Sequence, residues 1–200
     1  TGFLFHDEPP DERASGRLPA EVESFLGAGK APIIFTLGSA AVFLAGDFYA
    51  NSAEAARRLG HRAVLLIGKN PAPANSDPTI LVWDYLPHAQ IFPRGAVIVH
   101  QGGVGTTAQA LRAGRPMLVM PFAHDQFDNA DRVCRLGVAR QISRSAYTPT
   151  RAAAELEPLL SNPSYGATAQ RLGHQLRTES GPAAACDAIE HLLAARSHCG

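Results

Sequence analysis

Apolar residues along this chain come in short unbroken runs instead of alternating with polar ones. Pro32 to Leu37, Ala63 to Ile67, Ile80 to Trp83, Ala96 to Val99 and Met117 to Met120 each read as a strand buried on both faces. Val138 to Ile142 supplies a sixth candidate. Between the runs lie helical patterns with glycine stops: Asp47 to Leu59 before Gly60, Ala108 to Ala113 before Gly114, and Asp125 to Leu136 before Gly137. His88 to Phe92 allows one helical turn, and Leu18 to Leu26 a short helix. Past Thr150 helices dominate. The last, from about Ala183 to Ala195, gathers Cys186, Ile189, Leu192 and Leu193 on one face and reads as a core helix.

Apolar strands separated by helices predict an α/β domain whose parallel sheet is covered on both faces. Right-handed crossovers make it doubly wound and Rossmann-like. In such sheets ligands sit at the carboxyl ends of the strands. Gly38-Ser39, Tyr85, His100 to Thr107 and Phe122 to Gln126 all come just after strand ends, so they are expected along one edge. Residues 1–30 mix Pro9, Pro10, Asp11, Glu12, Ser15, Gly16 and Pro19, which marks a linker and short helix ahead of a domain over 31–200.

At 200 residues and 46% apolar, the chain can bury the core of one such domain. Its 18 basic and 18 acidic residues balance, only Lys30 and Lys69 are lysines, and no basic run occurs. That argues against nucleic acid or a membrane surface as partner. Cys134, Cys186 and Cys199 have neither disulfide-framework nor zinc spacing, so a reducing, cytoplasmic setting is the default expectation. His124, Asp125 and Asp128 fit no standard metal spacing, and no metal is expected. No run approaches the roughly 20 apolar residues of a membrane span, and no secretory signal is visible. The chain opens at Thr1 on an extended-looking Gly-Phe-Leu-Phe, which leads us to expect a piece of a longer polypeptide.

The chemistry concentrates in His100-Gln101-Gly102-Gly103-Val104-Gly105-Thr106-Thr107. Its glycines let the backbone turn sharply and bring N–H groups close to a ligand. The helix that follows aims unpaired donors and a positive dipole end at the same spot, which suits phosphate. Thr106 and Thr107 add hydroxyls. A bare strand-to-helix turn is the simpler alternative. Gly103 to Ala108 also satisfies the dinucleotide pattern Gly-x-Gly-x-x-Gly/Ala, with Asp125 about 20 residues on. An NAD-dependent oxidoreductase is therefore a competing reading, although the loop follows a late strand and His100 has no part in that pattern. A non-catalytic nucleotide-binding module is the third.

Tyr85-Leu86-Pro87-His88, His100-x-Gly-Gly-x-Gly-Thr-Thr, Gly114-x-Pro116, Pro121-Phe122 and Asp125-Gln126, in this order and spacing, closely resemble a known signature. It is the donor-sugar signature of the UDP-glycosyltransferase superfamily, matched from about Ile33 to Gly137. Bacterial antibiotic and lipid glycosyltransferases and sterol glucosyltransferases look closest. The resemblance implies the C-terminal, nucleotide-sugar-binding domain of a GT-B fold, with the N-terminal acceptor domain absent from this chain. It further implies a UDP- or TDP-sugar as donor substrate, inversion, and neither cofactor nor catalytic metal. The acceptor would be a hydroxyl of a small lipophilic molecule, and the general base would lie in the other domain.

By the same resemblance, Ser39, His100, Gly102, Gly103, Gly105 and Thr106 would bind the diphosphate, with His100 stabilising it as it leaves. A structural, hydrogen-bonded His100 is the plainer role. Tyr85 would stack on the base, with Trp83 as a rival, and His88 would lie near base and ribose. Asp125 and Gln126 would bind sugar hydroxyls, while Asp125 also reads as a helix N-cap. Ala108 stands where plant members carry a ribose-binding Glu, which leaves uridine and thymidine both open. In the family the last helix folds back across the acceptor domain, which would leave its apolar stripe exposed here and favour association.

Overall fold

A computed structural model describes residues 2–5, 18–74 and 77–197. The proline-rich stretch from Pro9 to Gly16 and Cys199 lie outside the described residues. Among the described residues six strands form one parallel sheet: β1 (Ile33–Thr36), β2 (Ala63–Leu66), β3 (Ile80–Trp83), β4 (Val97–His100), β5 (Met117–Val119) and β6 (Ala139–Gln141). Their spatial order is β3-β2-β1-β4-β5-β6. Ile34 lies opposite Val64 on one side and Ile98 on the other, and Val99 opposite Leu118, so the register is continuous through the centre.

The helices are α1 (Ala20–Gly27), α2 (Gly38–Ala41), α3 (Phe48–Arg58), α4 (His88–Ile91), α5 (Val104–Arg112), α6 (Gln126–Arg135), α7 (Pro149–Ser161), α8 (Pro163–Thr178) and α9 (Gly181–Ser197). Ile33, Phe35, Val97, Val99 and Leu118 pack on one face of the sheet with α3 and α7. Ile34, Val64, Ile98, Met117 and Val119 pack on the other with α1, α4, α5, α6 and α8. Side chains alternate between faces as in any strand, yet both faces are apolar. That is why the sequence shows runs without alternation.

The short helix expected over Leu18 to Leu26 forms as α1, and it does not stand apart from the domain: Leu18, Val22 and Leu26 join the second core. Two expectations need correction. Helix α5 starts at Val104 instead of Ala108, because Gly102 (φ +88°) completes the turn and an extended Gly103 already serves as N-cap. Gly105 and Thr106 are therefore in its first turn. Finally, α9 is no core helix: Ile189, Leu192 and Leu193 are 57%, 65% and 60% exposed. Both faces of the sheet are already covered by other helices among the described residues. No helix among the described residues is long and apolar enough to cross a membrane.

Candidate functional site

The chain winds outward in opposite directions from β1 and from β4, the two central neighbours. Their following loops therefore part and open a crevice at the carboxyl edge of the sheet. After β1 the chain turns through Gly38 (φ +64°) into α2, which carries Ser39. After β4 it turns through Gly102, where a Cβ would come within 2.9 Å of Val119 Cγ1 and 3.0 Å of the Gln126 carbonyl oxygen. Gln101 lies between the two loops. A Cβ on Gly38 or on Gly103 would run into its amide, and its Oε1 is buried with no hydrogen-bond partner among the described residues. The sequence reading passed over Gln101, although a polar side chain inside a glycine turn was a usable signal.

His100, the last residue of β4, is fully buried. Gly102 N–H donates to its Nδ1 at 3.0 Å. Nδ1 is thus the unprotonated nitrogen, and the ring proton sits on Nε2. Nε2 is buried as well, and no protein atom described accepts from it. Burial pushes the ring's pKa down to about 3, with nearby His88 adding to the shift, so His100 is a neutral donor at ordinary pH. A buried donor without an acceptor costs about 1–3 kcal/mol. The ring lies beneath the glycine turn, not on the open rim.

A cavity of about 560 Å³ occupies the crevice, walled by Thr36, Ser39, Tyr85, His88, Gly105 and Thr106 among others. This is a normal size for a small-ligand site. A Cβ on Gly105 would meet nothing within 4 Å, so that glycine leaves the first turn of α5 open to an approaching group. Tyr85 is half exposed, with its ring 6.1 Å from His88, which stacks on Phe92 at 4.3 Å. Burial pushes the His88 pKa down to about 4. Trp83 packs against the core instead of lining the cavity. Ala108 is buried, and it is its neighbour Gln109 that reaches the cavity wall. Leu4 and Phe5, from the stretch read as linker, also line it.

Other expected residues stand elsewhere. Thr107 does not join Thr106. Successive helical residues point about 100° apart, and the Thr107 hydroxyl is buried, without a partner among the described residues, beside a second, 260 Å³ cleft between α5, α6 and α8. Asp125 has helical backbone angles and makes no capping bond. Its carboxylate accepts instead from Asn129 Nδ2 at 2.8 Å. Asn129 also donates to the Gly102 carbonyl at 2.9 Å and so ties α6 to the glycine turn, a role the sequence reading missed. Gln126 Oε1 accepts from the amides of Phe122 and Ala123 at 2.8 and 3.2 Å, so its oxygen holds the loop. Asp128 pairs with Arg132 at 2.6 Å.

Residues 54–192 match the erythromycin biosynthesis protein CIII-like family, C-terminal domain. The chain is 33% identical to O-mycaminosyltylonolide 6-deoxyallosyltransferase of Streptomyces fradiae, over 98% of this chain and 45% of that enzyme. It is 30% identical to a sterol 3-beta-glucosyltransferase of Aspergillus terreus, over 94% of this chain and 14% of that protein. The crystal structure of the glycotransferase of kitacinnamycin superposes with a TM-score of 0.74 at 29% identity, covering 92% of this chain and 46% of that one. Glycosyltransferase VinC in complex with dTDP superposes with a TM-score of 0.64 at 26% identity, over 81% of this chain and 41% of that one. The chain thus spans less than half the length of each of these relatives. With its fold, this chain belongs to the UDP-glycosyltransferase superfamily, as a C-terminal domain of the erythromycin biosynthesis protein CIII-like kind.

Proposed function

We propose that this chain binds the nucleoside diphosphate part of a UDP- or TDP-sugar and forms the donor half of an inverting glycosyltransferase that passes a hexose to a hydroxyl of a small lipophilic acceptor. The observation that carries the reading is the buried, unpartnered Nε2–H of His100 beside a glycine turn and the start of α5. In the reaction, the bond between the anomeric carbon and the diphosphate oxygen breaks and its electron pair stays on the diphosphate. The acceptor oxygen bonds the opposite face of that carbon, and its proton passes to a base in the other half of the enzyme. This chain's share is to stabilise the departing charge. Unpaired N–H groups in the first turn of α5, the helix dipole, and the His100 donor would all act on it.

Tyr85 and His88 would hold the base, and Asp125 and Gln126 the sugar. VinC was solved with dTDP, which supports a thymidine donor alongside uridine. Phe43 and Leu44, which follow α2, and Phe127, in the first turn of α6, are exposed apolar side chains that support a lipophilic acceptor. The free thiols of Cys134 and Cys186 support a reducing, cytoplasmic setting. Calorimetry of the 200-residue chain with UDP, TDP and NAD tests the reading. Binding of UDP or TDP without NAD is expected, and no sugar transfer by the chain alone. Tight NAD binding without either pyrimidine nucleotide would favour an oxidoreductase and sink the proposal.

A further inference from the structure

The geometry points to Leu4 and Phe5 as the outer wall of the nucleoside end of the donor cavity, so that these two residues are themselves part of the donor site. This rests on the donor reading above. Both side chains line the same cavity as Tyr85, His88 and Thr106, residues far along the chain. The chain is fastened on either side of Leu4. Phe3 lines the cleft between α5, α6 and α8 and packs against the second core. The Phe5 ring lies 6.0 Å from that of Phe3, with the Arg112 guanidinium 4.1 Å from its centroid. Behind it, a Cβ on Gly181, where α9 begins, would collide with the Phe3 carbonyl, so the two backbones lie close. Leu4 is left 73% exposed at the cavity, an apolar group with a wall to form and nothing described to cover it.

The position selects the nucleoside over the phosphates. Arg112, which holds Phe5, lies seven residues beyond Gly105 on α5, about 10 Å along the axis at ~1.5 Å per residue. That separation suits a base and ribose whose diphosphate rests on the first turn. Leu4 and Phe5 side chains offer no hydrogen bonds, so they suit the flat, weakly polar faces of a pyrimidine nucleoside and give nothing to a phosphate.

The test compares the unaltered 200-residue chain with a Leu4→Ala, Phe5→Ala double variant, titrated with TDP and with inorganic pyrophosphate. We expect TDP to bind on the order of tenfold more weakly, the equivalent of about 55 Å² of apolar contact at ~25 cal/mol/Å². Pyrophosphate, which lacks the nucleoside, should bind unchanged. On the unaltered chain, TDP should slow hydrogen exchange at the Leu4 and Phe5 amides, a readout that stands even if the variant folds poorly. Unchanged TDP affinity in a folded variant, equal weakening of TDP and pyrophosphate, or absent protection would each overturn the inference. If the unaltered chain bound neither TDP nor UDP, the donor reading itself would fall, and this with it.

Discussion

His100 has two hydrogen-bonding jobs that substitution can separate. Its Nδ1 takes the Gly102 N–H at 3.0 Å and so braces the glycine turn, while its buried Nε2–H has no acceptor among the described residues. His100→Ala removes both. His100→Asn keeps a short acceptor for the Gly102 amide but withdraws the Nε2 donor, and His100→Gln restores a donor at the longer reach. A neutral donor to a charged phosphate oxygen contributes about 1.5–3 kcal/mol, or roughly ten- to 150-fold in dissociation constant. Calorimetry with a TDP-sugar should therefore show that loss in the Ala and Asn variants and a partial recovery in Gln. The pH profile gives an independent check. With the ring's pKa held near 3 by burial, His100 stays neutral from pH 5 to 8, and affinity for a TDP-sugar, whose diphosphate has no ionisation in that window, should be flat. If the Asn variant bound like the unaltered chain, or if affinity fell as pH rose through 6.5, the neutral-donor argument would be wrong.

Two further outcomes follow from the same geometry. The folded pKa values of His100 and His88, about 3 and about 4, lie below the ordinary 6.5, so the unfolded chain takes up these protons first. Stability is then complete above pH 6.5 and falls as pH drops toward 4, by about 1.4 kcal/mol per unit for each ring. Urea unfolding at pH 7 and pH 5 should differ by roughly 4 kcal/mol, with His88→Gln removing about half; equal midpoints at the two pH values would contradict this. Gly105→Ala should split stability from binding. A Cβ there meets no neighbour, so the helix gains up to about 1 kcal/mol, while the methyl fills the space a diphosphate must enter. Raised Tm with weakened TDP binding is the expected pair, and unchanged binding would remove Gly105 from the site.

What the sequence determined by itself was whatever local pattern encodes. Strands buried on both faces read as unbroken apolar runs, so Ile33 to Phe35 and Val97 to Val99 announced a covered parallel sheet before any contact was known. The glycine turn after β4 was legible for a similar reason, since Gly102 at φ +88° leaves little choice of residue. Other features depended on which elements meet. The Gln101 amide between two loops, the Asn129 tie to Gly102 and the seating of Phe5 under Arg112 all join residues distant in sequence or on different elements. The same holds for α9, whose apolar stripe looked like a core face. Periodicity states that a helix has a face to bury, but only the tertiary arrangement decides whether a surface remains to bury it on, and here α1, α3 and their partners had already taken both sides of the sheet.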